Sequence, residues 1–159
     1  MPIQIGDRIP ECNVQRIRDG FETVDTPALF EGRRLVLFAV PGAFTPTCSE
    51  KHLPGFVALF DKFREKGVSV ACMSVNDPFV MKAWAASHNV PEGMEILADG
   101  NGDFTKALGL EMDASAYGMG LRSKRFALLA ENGVVKVLEV EAPGEFRVSS
   151  AEHMLEQLG

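Results

Sequence analysis

The sequence predicts an α/β fold in which helices flank a central mixed sheet. Two apolar runs, 35–40 and 68–75, are long enough to form strands that are buried on both faces. An amphipathic stretch of helix length separates them, so we expect a parallel pair joined by a helical crossover. Two further apolar runs, 125–130 and 134–140, are separated by Glu131-Asn132-Gly133, a turn that favours an antiparallel hairpin.

The remaining elements are predicted from turn and cap residues. In chain order they are a short hairpin over 12–24 with a turn at Asp19-Gly20, a brief helix over 27–30, a helix opened by Asn76-Asp77-Pro78, a strand over 95–98, a helix over 104–108 and a last helix from Ser149 or Ser150 to Leu158. The segment 111–121 contains glycine and serine breakers and is predicted to be a loop. This order of elements predicts a thioredoxin-like fold with an N-terminal hairpin and loop additions.

Length and composition are those of an ordinary globular protein. The chain has 159 residues, of which 46% are hydrophobic and 24% charged, so we expect a single domain over 1–159. Its net charge is −6 and no basic block stands out, which argues against binding to nucleic acids or anionic membranes. We recognise neither a membrane-spanning apolar run nor a signal peptide. Three cysteines are too few for a disulfide framework, so the expected location is the reducing cytoplasm.

Cys48 occupies the position around which the rest of the chain is organised. Pro41-Gly42 ends the first apolar strand, because proline has no N–H and glycine opens unusual backbone angles. Thr45 followed by Pro46 predicts a helix entrance, with the threonine as N-cap, and the helix should run to about residue 66. Cys48 then lies in the first helical turn, where unpaired N–H groups and the helix dipole favour a thiolate. The alternative is a buried structural cysteine, which is common for this residue type.

The stretch 41–54, P-G-A-F-T-P-T-C-S-E-K-H-L-P, resembles the active-site signature of the peroxiredoxins, specifically the type V or plant type II branch. Its core is Pro41-x-x-x-Thr45-x-x-Cys48. Further stretches match in chain order: S-V-N-D-P-F-V-M-K-A-W at 74–84, L-A-D-G-N-G-D-F-T-K-A-L-G-L at 97–110, Y-G-M-G at 117–120 and S-K-R-F-A-L-L at 123–129. The resemblance therefore covers nearly the whole chain, and its first motif is highly specific.

The resemblance implies a thiol peroxidase that reduces hydrogen peroxide and alkyl hydroperoxides without a cofactor. Cys48 would be the peroxidatic cysteine, whose thiolate attacks one peroxide oxygen and becomes a sulfenic acid. Thr45 and Arg125 match the family's active-site threonine and arginine, which would bind the peroxide and the negative charge that develops on it. Pro41 would wall the pocket, and the backbone N–H groups of Thr47 and Cys48 should help to bind the peroxide.

Without the resemblance, two of these residues have plainer explanations. Thr45 would most often be a helix cap and nothing more. Arg125 belongs to a basic cluster with Arg122 and Lys124, and each of these is most often a solvated surface charge. Arg125 differs from the other two because it stands at the start of an apolar strand, which fixes its backbone and can direct its side chain toward the site. We therefore keep Arg125 as the candidate and assign Arg122 and Lys124 to the surface.

Recycling of the sulfenic acid depends on the other cysteines. Cys72 lies within the strand 68–75 and is expected to fill a core position as a small hydrophobe. Plant members of the branch carry a resolving cysteine in the corresponding strand, so a resolving role for Cys72 stays as the minor alternative. The region 146–150, where other members place a resolving cysteine, has none, and Cys12 is expected to be structural. We therefore expect an external thiol as reductant, either glutathione with glutaredoxin or thioredoxin.

The sequence also allows two competing functions and argues against a metal site. A disulfide oxidoreductase normally needs Cys-x-x-Cys, whereas Thr45 stands where its first cysteine would be. A redox sensor or holdase would use the same fold to bind partners without catalysis. His52, His88 and His153 lack the spacing of metal ligands, and His52 is expected to be structural.

We expect a homodimer that forms at the active-site end of the molecule. The loops there carry large apolar side chains that a monomer would leave in water: Phe44, Phe79, Met112, Tyr117 and Met119. Type V peroxiredoxins, which the chain resembles, pair through that end. The alternative is that these residues fold inward as a local lid over the pocket.

Overall fold

A mixed sheet of seven strands forms the centre of the structure, a computed structural model that describes residues 2–18 and 20–158. The strands of the chain are β1 (Asn13–Ile17), β2 (Phe21–Asp25), β3 (Arg34–Val40), β4 (Val68–Ser74), β5 (Glu95–Ala98), β6 (Glu111–Asp113), β7 (Leu121–Ser123), β8 (Phe126–Glu131) and β9 (Val134–Val140). The order across the large sheet is β2-β1-β5-β4-β3-β8-β9, with β3, β4 and β5 parallel and the other pairs antiparallel. The predicted α/β class with a mixed central sheet is confirmed.

Five helices cover the two faces of this sheet in the described part of the chain. They are α1 (Thr26–Phe30), α2 (Leu53–Glu65), α3 (Pro78–Ser87), α4 (Asp103–Leu108) and α5 (Ala151–Gln157). A π-helical turn, Cys48–His52, leads into α2, and a 3₁₀ turn covers Ser115–Tyr117. None of the helices in residues 2–18 and 20–158 is long and apolar enough to cross a membrane.

Strand β3 is central because six consecutive apolar residues, 35–40, are fully buried. Side chains alternate across a strand, so Val36, Phe38 and Val40 enter the core layer under α2, α3 and α5. Leu35, Leu37 and Ala39 enter the opposite layer, under α1 and α4. Full burial of an aliphatic or aromatic side chain of this size stabilises the fold by about 1.5–3 kcal/mol.

The crossover from β3 to β4 places the carboxyl ends of both strands side by side. The parallel register pairs Val40 with Ser74. Helix α2 packs its apolar face on the sheet, and the Phe56 ring stacks on Phe38 with 4.0 Å between ring centroids. The loops that follow Val40 and Ser74 therefore meet at one edge of the sheet, where ligands of open α/β sheets bind.

Both predicted hairpins are present. At the turn between β8 and β9, Asn132 and Gly133 have φ angles of 49° and 82°, the left-handed conformation that a tight hairpin turn requires. β1 and β2 pair from Asn13↔Asp25 to Ile17↔Phe21. Asp19, which the sequence places in the turn between them, lies outside the described residues.

The prediction of a loop over 111–121 is wrong at both ends of the segment and holds between them. β6 and β7 pair antiparallel there, with Met112 opposite Arg122, and the 3₁₀ turn lies between them. Each strand has three residues, which is too short to show the alternation by which a strand is recognised in sequence. This small sheet is relevant to function because Met112 lines a cavity that Arg125 also lines.

Candidate active site

The loop after β3 is anchored to the end of β4 by one amide side chain. Asn76 Oδ1 accepts hydrogen bonds from the Ala43 N–H at 3.0 Å and from Ser74 Oγ at 2.6 Å. Phe44 follows with φ 67°, in the left-handed region that costs a residue other than glycine about 1–2 kcal/mol. The loop is therefore held in a strained conformation by contacts with the neighbouring strand, and strain of this kind is common at functional sites.

The helix that carries Cys48 is wider at its start than the sequence predicts. The chain becomes helical at Pro46, but Cys48–His52 form a π-helical turn, in which the N–H of Leu53 donates to the Cys48 carbonyl. Pro54 explains the departure, since it has no N–H to donate and its ring would collide with the carbonyl four residues earlier. The prediction of one regular α-helix from Pro46 is wrong in this turn, and helical insertions of this type frequently occur at functional sites.

Thr45 is the N-cap by its backbone but not by its side chain. Its carbonyl accepts the first helical hydrogen bond, from the Ser49 N–H at 3.0 Å. Its hydroxyl instead donates to the Gly42 carbonyl at 2.6 Å, so the side-chain cap that the sequence suggests is absent. With its proton committed to Gly42, the hydroxyl oxygen retains its lone pairs for a further donor. The N–H groups of Thr47 and Cys48 precede the first helical bond and find no acceptor within the helix.

Cys48 and Arg125 are brought into direct contact. Cys48 is fully buried, and its Sγ accepts a hydrogen bond from Arg125 Nη2 at 3.1 Å. Arg125 directly precedes β8, which pairs antiparallel with β3, so the sheet delivers the guanidinium to the start of the cysteine helix. The guanidinium thus places a permanent positive charge and an N–H donor directly on the sulfur.

His52 holds the other side of the Arg125 guanidinium. Arg125 Nη1 lies 2.9 Å from His52 Nδ1, and His52 Nε2 lies 2.9 Å from the Ser149 carbonyl oxygen. The guanidinium has only donors and the carbonyl only accepts, so the ring must carry its proton on Nε2 and accept at Nδ1. Burial, and then the Arg125 charge, lower the pKa of His52 from 6.5 to about 3, against a smaller opposing effect of the hydrogen bond to Ser149. His52 is therefore neutral at physiological pH.

The contact of His52 with Arg125 was missed by the sequence analysis, which gave this residue a structural role. One signal was available, since His52 follows Cys48 by four residues and therefore lies on the same side of the helix. The ring also packs between Phe38 and Phe146, with ring centroids 4.9 and 5.1 Å away. Apolar packing and two hydrogen bonds thus fix both the place and the tautomer of His52.

A cavity of about 370 Å³ opens beside these residues. Pro41, Thr47 and Arg125 form part of its lining, and Met112 and the segment 141–145 contribute the rest of its wall together with Asp113 and Lys124. Three of the predicted site residues thus share one cavity, whereas Cys48 and Thr45 are not among the residues that line it. Its size suits a small peroxide with an organic substituent.

The other two cysteines are placed differently from Cys48. Cys72 lies in β4 opposite Phe38 and is fully buried, and burial, with a smaller contribution from Cys48, raises the pKa of its thiol well above the usual value. Cys12 is half-buried with Sγ 3.9 Å from the Asp103 carbonyl oxygen, and burial again raises its pKa. All three cysteines are free thiols.

The five apolar residues assigned to a dimer interface divide into two groups. Phe44, Phe79 and Tyr117 are 56%, 72% and 83% exposed. Met112 and Met119 are half-buried, so their predicted exposure is wrong. The Met119 methyl group packs so close to Gly42 that a Cβ at that glycine would lie 3.0 Å away.

Arg122 is also less exposed than predicted, whereas Lys124 lies at the surface as expected. Arg122 Nε donates to the Met119 carbonyl at 2.9 Å, and Nη1 lies near Gly42. Arg122 therefore braces the loop after β3 from the side of the small sheet. In residues 2–18 and 20–158, no three His, Cys, Asp or Glu side chains are grouped so that they could hold a metal ion.

Comparisons with known proteins agree with this geometry. Residues 4–155 match the Redoxin family model. The chain is 46% identical over 160 residues to Peroxiredoxin-2C of Arabidopsis thaliana, covering 99% of both proteins. It is 51% identical over 163 residues to the chloroplastic Peroxiredoxin-2E-2 of Oryza sativa subsp. japonica, covering 98% of this chain and 72% of the relative.

A solved crystal structure also superposes on nearly the whole chain. Reduced Prx3 of Vibrio vulnificus, crystallised in complex with hydrogen peroxide, superposes with a TM-score of 0.94 at 50% identity, covering 99% of each chain. Identity at this level over the full length extends both the thioredoxin-like fold and the chemistry of the family to this chain. The chain belongs to the Redoxin family and, within it, to the type II peroxiredoxins, which are thiol-dependent peroxidases.

Proposed function

We propose that Cys48 is the peroxidatic cysteine of this peroxidase. The observation that carries the proposal is the 3.1 Å hydrogen bond from Arg125 Nη2 to Cys48 Sγ, within a buried site beside a cavity. The thiolate attacks one peroxide oxygen, the O–O bond breaks, and the second oxygen leaves with the electron pair as hydroxide or alkoxide. Sulfur is oxidised to the sulfenic acid, the peroxide is reduced, and the leaving oxygen takes up a proton.

The surrounding donors are suited to the charge that moves during this step. Negative charge shifts from sulfur to the leaving oxygen, so donors must face both atoms in the transition state. Arg125 supplies charged donors, and the N–H groups of Thr47 and Cys48 supply neutral ones at the helix start. Thr45 would accept a hydrogen bond from the peroxide while its own proton stays on Gly42. Pro41 lines the cavity and limits the access of water.

The substrates that we propose are hydrogen peroxide and alkyl hydroperoxides. Hydrogen peroxide needs little more than the donors around Cys48. The cavity adds apolar surface from Met112 and Pro143, which would accommodate the organic part of an alkyl hydroperoxide.

We propose an external thiol as the reductant, either glutathione with glutaredoxin or thioredoxin. The burial of Cys72 in the middle of the sheet supports this choice, because a disulfide with Cys48 would require β4 to open, and opening a core strand costs free energy approaching that of global unfolding. The raised pKa of Cys72 also disfavours the thiolate that would have to attack the sulfenic acid.

Intact-mass spectrometry after one equivalent of hydrogen peroxide tests this cycle. The expected product is a protein one oxygen heavier, which glutathione converts to a mixed disulfide and which Cys48→Ser does not form. Cys12→Ser is the matched control and should give the same product as the wild type. A loss of two hydrogens with no added oxygen would indicate a Cys48–Cys72 disulfide and contradict the external reductant.

We propose a homodimer that covers the exposed aromatic side chains at the active-site end. Phe44 lies in the loop between β3 and the cysteine helix, and Tyr117 lies in the 3₁₀ turn between β6 and β7. Phe79 packs edge-to-face on Phe21 with 4.8 Å between centroids and leaves most of its surface in water. Exposed aromatic groups of this size favour association with a second copy.

We propose the cytoplasm as the site of action, since three free thiols suit a reducing compartment. Fractionation of the source cells with an antibody against the protein tests this. Recovery in the cytoplasmic fraction would support the proposal, and recovery in an organelle or in the medium would contradict it.

A further inference from the structure

Glu141 is a buried carboxylate in the wall of the active-site cavity, and the peroxide step described above gives it no role. It follows β9 and is 7% exposed. Its Oε2 accepts three hydrogen bonds, from the Arg147 N–H at 2.8 Å, the Ser149 N–H at 2.8 Å and Ser149 Oγ at 2.7 Å. Burial raises the pKa of Glu141, but the hydrogen bonds from Ser149 and its neighbours together lower it below the usual value. The group is therefore ionised at neutral pH, and its charge is stabilised by these donors.

Ser149 connects this carboxylate to His52. The N–H and the hydroxyl of Ser149 both donate to Glu141, while its carbonyl accepts from His52 Nε2 at 2.9 Å. The position of that carbonyl is thus set by the two bonds on the other side of the same residue. Since the carbonyl fixes the tautomer of His52, Glu141 acts on the ring through one intervening residue.

Glu141 also contacts Arg125 directly through the main chain. Its N–H donates to the Arg125 carbonyl at 2.9 Å. Glu141 is therefore connected to both members of the Arg125–His52 pair. Its N–H bonds to the backbone of Arg125, and its carboxylate is linked to the His52 ring through Ser149. The hydrogen bonds form a closed loop, and Arg125 Nη2 donates from this loop to Cys48 Sγ.

We propose that Glu141 is a positioning residue for peroxide reduction, because its carboxylate holds Ser149 so that His52 presents a free Nδ1 to Arg125. In the opposite tautomer, Nδ1–H would face a guanidinium N–H, donor against donor, and His52 could no longer hold Nη1. Arg125 would then lose the contact that directs Nη2 toward Cys48 Sγ. This inference rests on the proposal that Cys48 reacts with peroxide, and it adds a residue whose carboxylate acts through Ser149 and His52 rather than on the sulfur.

Glu139 provides a matched control two residues earlier on β9. Its carboxylate bonds to helix α5, with Oε2 2.7 Å from His153 Nε2, and makes no bond to Ser149. Glu139→Gln therefore removes a nearby carboxylate that also bonds to the C-terminal part of the chain, and it leaves the loop of hydrogen bonds intact. Any effect specific to Glu141 must exceed the effect of this variant.

Two measurements on Glu141→Ala, Glu141→Gln and Glu139→Gln test the proposal. The first is the second-order rate of Cys48 oxidation by hydrogen peroxide in a stopped-flow instrument, with no reductant present. The second is the ¹⁵N NMR spectrum of histidine-labelled protein, assigned with His88→Gln and His153→Gln, which reports the His52 tautomer. Wild type should show a neutral ring protonated at Nε2.

We expect Glu141→Ala to slow oxidation by about tenfold or more, the usual scale of a lost orienting partner, and to shift the His52 signals away from the Nε2–H tautomer. Glu141→Gln keeps an acceptor oxygen without the charge, so its oxidation rate should lie between those of wild type and Glu141→Ala. If the alanine variant does not fold, the rate and the His52 tautomer of Glu141→Gln test the proposal instead. Glu139→Gln should match wild type in both measurements.

Unchanged rates in both Glu141 variants, or a slower rate with an unchanged His52 tautomer, would overturn the inference. If Cys48 is not oxidised in the wild type, the proposed function itself fails. That result differs from one in which the wild type is oxidised normally and the Glu141 variants are oxidised at the same rate, which overturns only this inference.

Discussion

Arg125 Nη2 lies 3.1 Å from Cys48 Sγ although 77 residues separate the two in the chain. The contact exists because β8 pairs with β3 and so carries the residue before it to the helix that follows β3. A guanidinium in this place can stabilise the thiolate before the reaction and the leaving oxygen during it.

Arg125→Met and Thr45→Val should each lower the second-order rate with hydrogen peroxide by at least about 100-fold, the scale of one transition-state partner removed. Arg125→Lys should recover little, because a single ammonium cannot reach Cys48 Sγ and His52 Nδ1 together. Stopped-flow kinetics of each variant provide the measurement, with Arg64→Met on the exposed side of α2 as the control. A variant that keeps the wild-type rate shows that its residue has been given the wrong role.

Cys72→Ser should retain full turnover when glutathione and glutaredoxin, or thioredoxin, are supplied. The reason is that Cys72 is fully buried in β4 and its thiol has a raised pKa, so it contributes packing rather than a resolving thiolate. Steady-state peroxide consumption with each reductant system gives the answer. An inactive Cys72→Ser that folds normally and still forms the Cys48 sulfenic acid would assign the resolving step to Cys72.

His52 should make the protein less stable as the pH falls. An unfolded histidine takes up a proton below its ordinary pKa of 6.5, whereas His52 in the folded chain does so only near 3. Between these values the unfolded state binds more protons, so the free energy of unfolding decreases with falling pH, by up to about 1.4 kcal/mol per pH unit from this residue. Urea unfolding between about pH 5 and 7, where carboxylates stay ionised, isolates this contribution.

The control for the pH experiment is a pair of histidine variants. His52→Gln should flatten the slope of stability against pH, while His88→Gln, which removes a partly exposed ring at the C-cap of α3, should leave it as in wild type. Equal slopes in wild type and His52→Gln would mean that His52 is not held neutral in the folded protein.

If the proposed dimer forms, one substitution at its interface should halve the mass of the protein in solution. Phe79→Asp should convert a micromolar dimer to a monomer in sedimentation velocity, because a charge would have to be buried in the apolar interface. Ile5→Asp serves as control, since Ile5 is also exposed, at 64%, but lies in the segment that precedes β1. A monomeric wild type, or a Phe79→Asp variant that remains dimeric, places the interface elsewhere or removes it.

The strand, the break and the helix start that position Cys48 could be predicted because each depends on residues close together in the sequence. The apolar run 35–40, the break at Pro41-Gly42 and the Thr45-Pro46 entrance each have a physical meaning within a few residues. They place Cys48 at a helix start after a buried strand, and the structure has it there. The same is true of the β8–β9 hairpin, whose Asn132-Gly133 turn is encoded by two adjacent residues.

The parts that could not be predicted depend on distant contacts or on very short elements. The π-helical turn results from Pro54 acting on carbonyls one turn earlier, which helix periodicity alone does not reveal. The ties among His52, Ser149 and Glu141 join segments up to 97 residues apart, and no local pattern distinguishes these residues from solvated ones. β6 and β7 are too short to carry a strand signature.

Peroxide consumption by Cys48→Ser tests the central claim most directly. The claim is that one thiolate, held by Arg125, reacts with the peroxide. Wild type and Cys12→Ser should consume hydrogen peroxide at similar second-order rates in the presence of a thiol reductant, whereas Cys48→Ser should consume none above the uncatalysed background. Retained turnover by a correctly folded Cys48→Ser would contradict the claim.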